Sequence, residues 1–241
     1  MKKKRCGKII RRTLLALVLL CVCASGALTL RGYSLYTGAL AAKPVSKAVK
    51  EVRDQPGFTP LEDLPETYAQ AVLAVEDHRF YEHGGVDFLA IGRAALHDLQ
   101  AMALVEGGST ITQQLAKNLY FTQEKEFTRK IAEVFMAWKL ESQLAKDEIL
   151  ELYVNSIYFG SGCYTVGDAC REYFDKEPAQ MDDYEATLLA GVPNAPSVYD
   201  LNENPGLARQ RQKQVLGLMV KHAGLDPSQA EDILACAAPA A

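Results

Sequence analysis

The feature that most constrains this chain is an uncharged segment close to its N-terminus. Thr13–Leu30 contains no charged residue, whereas residues 1–12 hold seven Lys or Arg and no acid. A helix of that length spans about 27 Å at 1.5 Å per residue, just enough for the hydrocarbon core of a membrane. The basic flank predicts that this end is cytoplasmic and that the rest is outside. We therefore expect a basic tail over 1–12 and a transmembrane anchor over 13–30.

A cleaved signal peptide is the competing interpretation of the same segment. Small residues at positions 24–27 would suit a cleavage site. The uncharged segment is longer than the roughly 7–15 residues of a signal-peptide core, which favours an uncleaved anchor. Either interpretation exports the body of the chain. The favoured one predicts a single-pass cell-membrane protein with an extracytoplasmic domain.

The exported body is acidic and poor in cysteine. Residues 31–241 hold 19 basic and 30 acidic residues, a net charge of −11. This balance argues against nucleic acid as a partner, because duplex binding needs many cations. Cys163, Cys170 and Cys236 lie in this part. A Cys163–Cys170 disulfide would need a turn, since straight helix would separate their Cα atoms by about 10 Å. Free thiols are the favoured interpretation.

Helical periodicity dominates the body, and alternating strand patterns are nearly absent, so the fold class is predicted to be all-α. Residues 31–60 are predicted to form a polar, proline-interrupted tether, and 61–241 the folded domain. Thr110 and Gln113 form a predicted capping box. The helical signal begins at residue 64 and is followed by a mostly apolar stretch, Phe88–Leu104. Further helices are predicted over 110–118, 124–145, 147–155, 166–174, 183–190, 205–222 and 227–236.

Glu76 is the first candidate for chemistry, because it ends an apolar helix. A carboxylate there faces the negative end of the helix dipole, and partial burial would raise its pKa further. A carboxyl group with a raised pKa suits general-base catalysis. The alternative is a solvated acid paired with Arg79.

Two further segments carry candidate anion ligands. The Gly107-Gly108 pair precedes a helix N-terminus, which offers free N–H donors, and Lys117 follows two turns later. On the next helix Lys125, Arg129 and Glu133 fall at i, i+4 and i+8 and share one face. The alternatives are a plain capped loop and a salt-bridged solvent face. Together the segments suit a sugar hydroxyl, deprotonated by a carboxylate, attacking a sugar diphosphate whose leaving group is held by cations.

Five ordered segments resemble the motifs of the family 51 glycosyltransferases. This family comprises monofunctional peptidoglycan transglycosylases and the glycosyltransferase domains of bifunctional penicillin-binding proteins. The similarity extends over about residues 66–205, and its second segment matches almost letter for letter. The five segments are Glu76–Asp87, Gly107–Asn118, Arg129–Glu141, Lys146–Gly160 and Leu189–Ser197.

The resemblance implies a lysozyme-like helical domain with a small membrane-associated lobe, to which Phe88–Leu104 would belong. It implies lipid II and the nascent glycan strand as substrates, and penicillin-binding proteins are candidate partners. Glu76 would deprotonate the acceptor 4-hydroxyl, and Glu133 would act near the donor phosphates or their metal. A divalent cation, Mg or Mn, is expected, with ligands that the sequence does not identify. The residues expected to hold the diphosphate are Lys117, Lys125, Arg129 and Lys130, and those expected to line the cleft are Arg79, Arg93, Ser109, Gln113 and Gln114.

Some positions depart from the family pattern. Lys125 stands where Arg is usual, which keeps the charge and loses bidentate geometry. Asp175 replaces a usual Gly, and Cys170 a common Ala. The sequence shows no Ser-x-x-Lys motif, so a monofunctional enzyme is expected.

Two other functions remain open from the sequence. A lysozyme-like lytic transglycosylase would cut the glycan, but it would have no use for a diphosphate-binding cation cluster. An inactive scaffold for cell-wall assembly would be expected to lack Glu76 or Glu133, and both are present.

Overall fold

The computed structural model describes residues 2–101, 108–121 and 127–236, with side-chain environments over 12–94, 108–121 and 127–236. Within these ranges the chain is helical, and the extended pairing is one isolated bridge between Gly160 and Cys163. The all-α prediction is therefore confirmed. The α-helices are α1 (Lys2–Ala42), α2 (Val45–Arg53), α3 (Glu66–Glu76), α4 (Phe88–Ala101), α5 (Ile111–Tyr120), α6 (Phe127–Glu141), α7 (Lys146–Val154), α8 (Val166–Phe174), α9 (Asp183–Gly191), α10 (Pro196–Tyr199), α11 (Pro205–His222) and α12 (Pro227–Ala235).

Helix α1 is continuous over 41 residues, or about 61 Å at 1.5 Å per residue. Its part from Arg12 to Ala42 is long and apolar enough to cross a membrane, and within the described chain it is the one helix that meets this test. The side chains of its apolar window are exposed to the surroundings. This is consistent with a membrane anchor or a signal sequence, and the orientation of the helix stays a prediction.

Residues 31–60 differ from the expected tether. No proline interrupts α1 before Pro44, so the helix continues to Ala42 and is followed at once by α2. Helix α2 buries Val45, Ala48 and Val52 against the domain. The polar appearance of this segment comes from the outer face of an amphipathic helix, whose inner face packs on the core.

The core lies where α3, α5, α6, α7, α9 and α11 meet. Helix α3 packs against α9 and α11, while α5 packs against α6 and α7. Tyr68, Leu115, Met136, Tyr153 and Leu189 are among the large side chains that are completely buried there. Burying a side chain of this size contributes about 1.5–3 kcal/mol relative to leaving it exposed. This packing brings the C-terminal end of α3 next to α5 and α6, which carry the candidate site residues.

Helix ends follow local signals. Thr110 and Gln113 form the predicted capping box, and Asp226 caps α12. Asp175 ends α8 in the left-handed region, with φ 52°. Glycine adopts this conformation without strain, which explains why a Gly is usual there, and Asp is among the residues that tolerate it.

The apolar stretch that begins at Phe88 forms α4, whose described part ends at Ala101. Phe88 and Leu89 are 72% and 67% exposed, and Ile91 is also exposed. Residues 102–104 of the expected membrane-associated lobe lie outside the described residues. Insertion of this face into a membrane stays a prediction.

Candidate active site

Glu76, the last residue of α3, is held by a side chain of α5. Its Oε2 accepts a hydrogen bond of 2.8 Å from Gln114 Nε2. The Tyr153 hydroxyl, from α7, donates to Gln114 Oε1 over 3.3 Å. Because Tyr153 satisfies the amide oxygen, the Gln114 amide nitrogen is directed at the carboxylate. Three helices thus fix one carboxylate.

The pKa of Glu76 is raised above its usual range, and burial is the main cause. The Gln114 hydrogen bond, the positive charge of Arg211, the Tyr153 hydroxyl and the charge of Lys117 all oppose this rise in pKa. A carboxylate whose pKa is raised by burial accepts a proton more readily than an exposed one, which suits a general base. The geometry fits the base expected from the sequence and not the solvated alternative.

Glu133 on α6 is the second carboxylate, and it is 2% exposed. Its Oε1 lies 3.0 Å from Arg129 Nε, and its Oε2 lies 3.0 Å from Lys130 Nζ. Lys130 also donates to Ser109 Oγ over 2.6 Å. The carboxylate therefore holds two cations in fixed positions, and Ser109 ties one of them to the start of α5.

Lys117 interacts electrostatically with both carboxylates. Its pKa is lowered, first by burial and then by the neighbouring charges of Arg129 and Lys130, while Glu133 and Glu76 act in the opposite direction. Lys117 therefore lies within electrostatic range of both acids and of both cations. The sequence left open whether Glu76 and Glu133, 57 positions apart, face one region. The structure places both acids within electrostatic range of this lysine.

A buried hydrogen-bonded brace sets the distance between α3 and α5. Asp77 follows Glu76, and its Oδ1 lies 2.8 Å from His83 Nε2. Its Oδ2 accepts from the backbone N–H of Ile111, at the N-terminus of α5, over 3.1 Å. Since a carboxylate at a helix N-terminus is favoured by the helix dipole, this contact anchors α5 beside the end of α3.

Three of the predicted cleft residues lie elsewhere or serve another purpose. Gln113 is buried, and its side-chain oxygen accepts from the Thr110 backbone N–H, so it caps α5 instead of lining a cleft. Arg79 pairs with Glu82 and with Asp87, the latter at 3.6 Å.

Arg93 is exposed on α4, and its charge acts on His78 and His222. These contacts do not join Arg79 or Arg93 to the Glu76–Lys117 cluster. Lys125 and Gly107 lie outside the described residues.

A cavity of about 500 Å³ opens beside the cluster. Gln114 and Lys117 line it, together with residues that the sequence-based prediction did not assign to the site: Asn118, Tyr153, Ile157, Tyr158, Tyr164, Pro193, Asn194 and Pro196. Most of these belong to the second, fourth and fifth motif segments, which could have indicated them. Arg211 had no such signal, because α11 lies beyond the last motif.

Metal ligands were not predicted individually. Within residues whose side chains are described, no group of three His, Cys, Asp or Glu could hold a metal ion. Both oxygens of Glu133 are already paired with cations. These residues do not form a metal site by themselves, and we derive no catalytic step through a metal.

The cysteines are free thiols among the described residues. Cys163 lies in the turn that bridges to Gly160, whereas Cys170 is inside α8 with its Sγ 3.3 Å from Met181 Sδ. The possible Cys163–Cys170 disulfide is therefore not formed.

The chain is similar to proteins of known families. A family model described as transglycosylase matches residues 43–220. A transglycosylase of Cupriavidus necator is 43% identical over 178 residues, which cover 74% of this chain and 77% of that protein. Penicillin-binding protein 1A of Neisseria gonorrhoeae is 45% identical over 73% of this chain, but the match spans 22% of that longer protein. Penicillin-binding protein 2D of Bacillus subtilis is 43% identical, with 26% of its length covered.

Among solved structures, penicillin-binding protein 1A of Haemophilus influenzae matches 76% of this chain and 18% of that chain, with 20% identity and a TM-score of 0.45. The family model spans most of this chain, and the Cupriavidus relative is matched over most of its own length. The chain therefore belongs to the transglycosylase family, the family 51 peptidoglycan glycosyltransferases.

Proposed function

We propose that this protein is a membrane-anchored glycosyltransferase that polymerises glycan strands from lipid II at the outer face of the cell membrane. One observation carries the proposal: Lys117 is within electrostatic range of two carboxylates, the half-buried Glu76 and Glu133, and Glu133 holds two further cations. A base and a cation cluster at close range match a reaction in which a hydroxyl is deprotonated while a diphosphate leaves.

In the proposed reaction Glu76 takes the proton of the acceptor 4-hydroxyl. The acceptor oxygen forms a bond to C1 of the donor sugar as the bond from C1 to the phosphate oxygen breaks. The electron pair of that bond leaves with undecaprenyl diphosphate, so the leaving group needs positive charge and not a proton donor. Partial burial makes Glu76 a stronger proton acceptor than an exposed carboxylate.

Lys117, Arg129 and Lys130 would bind the diphosphate, and we extend this role to Lys125 from the motif alone. Glu133 holds Arg129 and Lys130 before substrate arrives. Fixed cations stabilise developing charge without reorganising during the reaction. The proposed role of Glu133 is therefore to position the cations, and an Mg or Mn ion bound together with the diphosphate remains a separate expectation.

The position of α1 supports a lipid-linked donor. The apolar segment ends at Leu30, and Gly32, two residues later, packs against Thr128 and Ile131 on α6. Two residues correspond to about 3 Å along a helix. The neighbouring Arg129 would then lie near the membrane surface, where the phosphates of a membrane-embedded polyprenyl lipid are located.

Labelled lipid II incubated with the full chain in detergent or nanodiscs tests the proposal. We expect glycan polymer from the wild type and a loss of about 10²–10⁴-fold for Glu76→Gln, the range typical of a removed general base. Glu133→Gln and Lys117→Met should also lose activity, and a parallel reaction with a chelator tests the expected metal ion.

Three results would contradict the proposal. Undiminished polymerisation by Glu76→Gln would refute the assignment of the base. Release of fragments from mature glycan, without polymer formation, would instead identify a lytic enzyme. Lipid II that stays unchanged with every preparation would favour the scaffold.

A further inference from the structure

Gly32 is the contact point between the anchor helix and α6. Among residues 12–42, whose side-chain environments are described, it is the one buried residue of α1. A Cβ atom added to Gly32 would lie 2.5 Å from Ile131 Cγ2, 2.6 Å from Ile131 Cβ and 3.1 Å from the Thr128 carbonyl oxygen. Only a residue without a side chain lets the two helices approach this closely.

Aromatic side chains extend the same contact along α1. The Phe135 ring lies 5.3 Å from the Tyr33 ring and 5.9 Å from the Tyr36 ring, measured between centroids. The Trp138 ring lies 5.7 Å from the Phe135 ring, also between centroids. Phe135 and Ile131 are four residues apart and so share one face of α6. The contact is therefore a continuous face and not one isolated touch.

The opposite side of α6 faces the candidate active site. Ile131 and Glu133 are two residues apart, which places them about 200° apart around a helix with 3.6 residues per turn. Helix α6 also packs against α5, the helix that carries Lys117. A displacement of α6 caused from the α1 side would therefore change the position of Glu133 relative to Lys117.

We propose that Gly32 is a positioning residue for catalysis: it lets the anchor helix seat against α6 and so sets Arg129, Lys130 and Glu133 in place against Lys117. The anchor would then be part of the catalytic unit in addition to holding it at the membrane. The effect of Gly32 on catalysis rests on the proposed function, whereas its role in packing α1 against α6 does not.

The steric consequence of a substitution can be estimated from these distances. Carbon atoms in contact are normally about 3.5–4.0 Å apart, so even Gly32→Ala requires a displacement of about 1 Å. Ile131 Cβ is fixed to the backbone, so a rotamer change cannot remove this clash. A misplacement of about 1 Å at a reacting centre can cost about 10²-fold in rate.

Gly38 provides a matched control in the same helix. A Cβ atom added there would meet no other atom within 4 Å, and the same holds for Gly26 in the apolar segment. Alanine is a better helix former than glycine at any of these positions. Substitutions at Gly32 and Gly38 therefore have the same effect on helix propensity and differ in what the new side chain meets.

The experiment uses the full chain in nanodiscs of phosphatidylethanolamine and phosphatidylglycerol. Gly32→Ala, Gly32→Leu, Gly38→Ala and Gly38→Leu are compared in lipid II polymerisation and in the fluorescence of Trp138. Trp138 is the single tryptophan of the chain and is 46% exposed beside Phe135. Its emission therefore reports the α1–α6 contact without reference to activity.

We expect Gly32→Leu to lower polymerisation at least tenfold and to shift the Trp138 emission maximum, with Gly32→Ala intermediate. Both Gly38 variants should match the wild type in both measurements. Ile131→Gly removes the side chain that clashes with the new Cβ at position 32. Combining it with Gly32→Ala should therefore restore activity relative to Gly32→Ala alone. Circular dichroism establishes that each variant is folded, and if Gly32→Leu is not, Gly32→Ala decides.

Unchanged emission and activity in the folded Gly32 variants would overturn the inference. A shifted emission with unchanged activity would keep the contact and refute its catalytic role, as would equal losses at Gly32 and Gly38. If the wild type formed no polymer, the proposed function would fail, while the emission data would still decide whether Gly32 seats α1 on α6.

Discussion

Replacing Glu76 with glutamine should remove activity and at the same time stabilise the fold. Glutamine has nearly the same shape, and its amide oxygen can still accept the hydrogen bond from Gln114 Nε2. The substitution removes the ionisable group and its capacity to take a proton. General-base catalysis is worth about 10²–10⁴-fold, or about 3–5 kcal/mol of transition-state free energy at 1.36 kcal/mol per tenfold.

The sign of the stability change follows from the pKa of Glu76. Burial raises that pKa in the folded state above its ordinary value of 4.5. A group with a raised pKa contributes stability to the folded state. That stability is fully present below the pKa of the unfolded state and is lost as pH rises through the pKa of the folded state. At neutral pH the wild type therefore carries a penalty that Glu76→Gln lacks. Each unit of difference between the two pKa values is worth about 1.4 kcal/mol, and each kcal/mol shifts Tm by about 2–4 °C.

Thermal unfolding from pH 4 to pH 8 checks the predicted stabilisation, and lipid II turnover measured in parallel checks the predicted loss of activity. Glu76→Gln should have a higher Tm than the wild type at pH 7, and the two should converge toward pH 4. Glu62→Gln, a substitution of an exposed acid, should change neither Tm nor turnover appreciably. A lower Tm for Glu76→Gln at neutral pH would refute the desolvation argument, and turnover within tenfold of the wild type would refute the role as base.

Three further outcomes are expected. Arg211 stabilises the charged form of Glu76, so Arg211→Met should raise the pKa of this proposed base. The acidic limb of the kcat/KM profile should then move to higher pH, whereas Arg211→Lys should keep that limb near its wild-type position. Gly85→Ala should lower the free energy of unfolding by about 1–3 kcal/mol, because the added Cβ would lie 2.8 Å from a backbone carbon of α6. A Cβ added at Gly84 meets nothing within 4 Å, so Gly84→Ala is the control, and chemical denaturation compares the two variants. Burial raises the pKa of the Cys170 thiol to about 12, so iodoacetamide at pH 8 should label the exposed Cys236 before Cys170. Mass spectrometry follows both thiols, and equal rates of modification would argue against the buried position of Cys170.

Several elements were predictable because their signals are local. The capping box at Thr110 and Gln113 placed the start of α5, and the proline at the first position with the Asp226 cap placed α12. The predicted bounds of α11, residues 205–222, match the structure. Caps and periodicity act over one or two helical turns, so a sequence is sufficient to locate them.

Other features escaped the sequence because they depend on distant residues. Residues 31–42 were predicted to belong to a tether. They are helical because Gly32 and its neighbours pack on α6, almost 100 positions later, and a local sequence pattern does not show that contact. Gln113 carried both a capping and a ligand-binding interpretation, and its burial favours the first. Arg211 had no motif to indicate it, although its charge lowers the pKa of Glu76.

The sequence by itself determined the family, the all-helical class, the long apolar N-terminal helix and the candidate residues, because ordered motifs and helical periodicity are written along the chain. Tertiary structure alone decided that Glu76, Lys117 and Glu133 share one region and that α1 seats against α6. These relations arise when apolar faces from α3, α5, α6 and α7 are buried together, and that packing depends on side-chain shapes far apart in sequence.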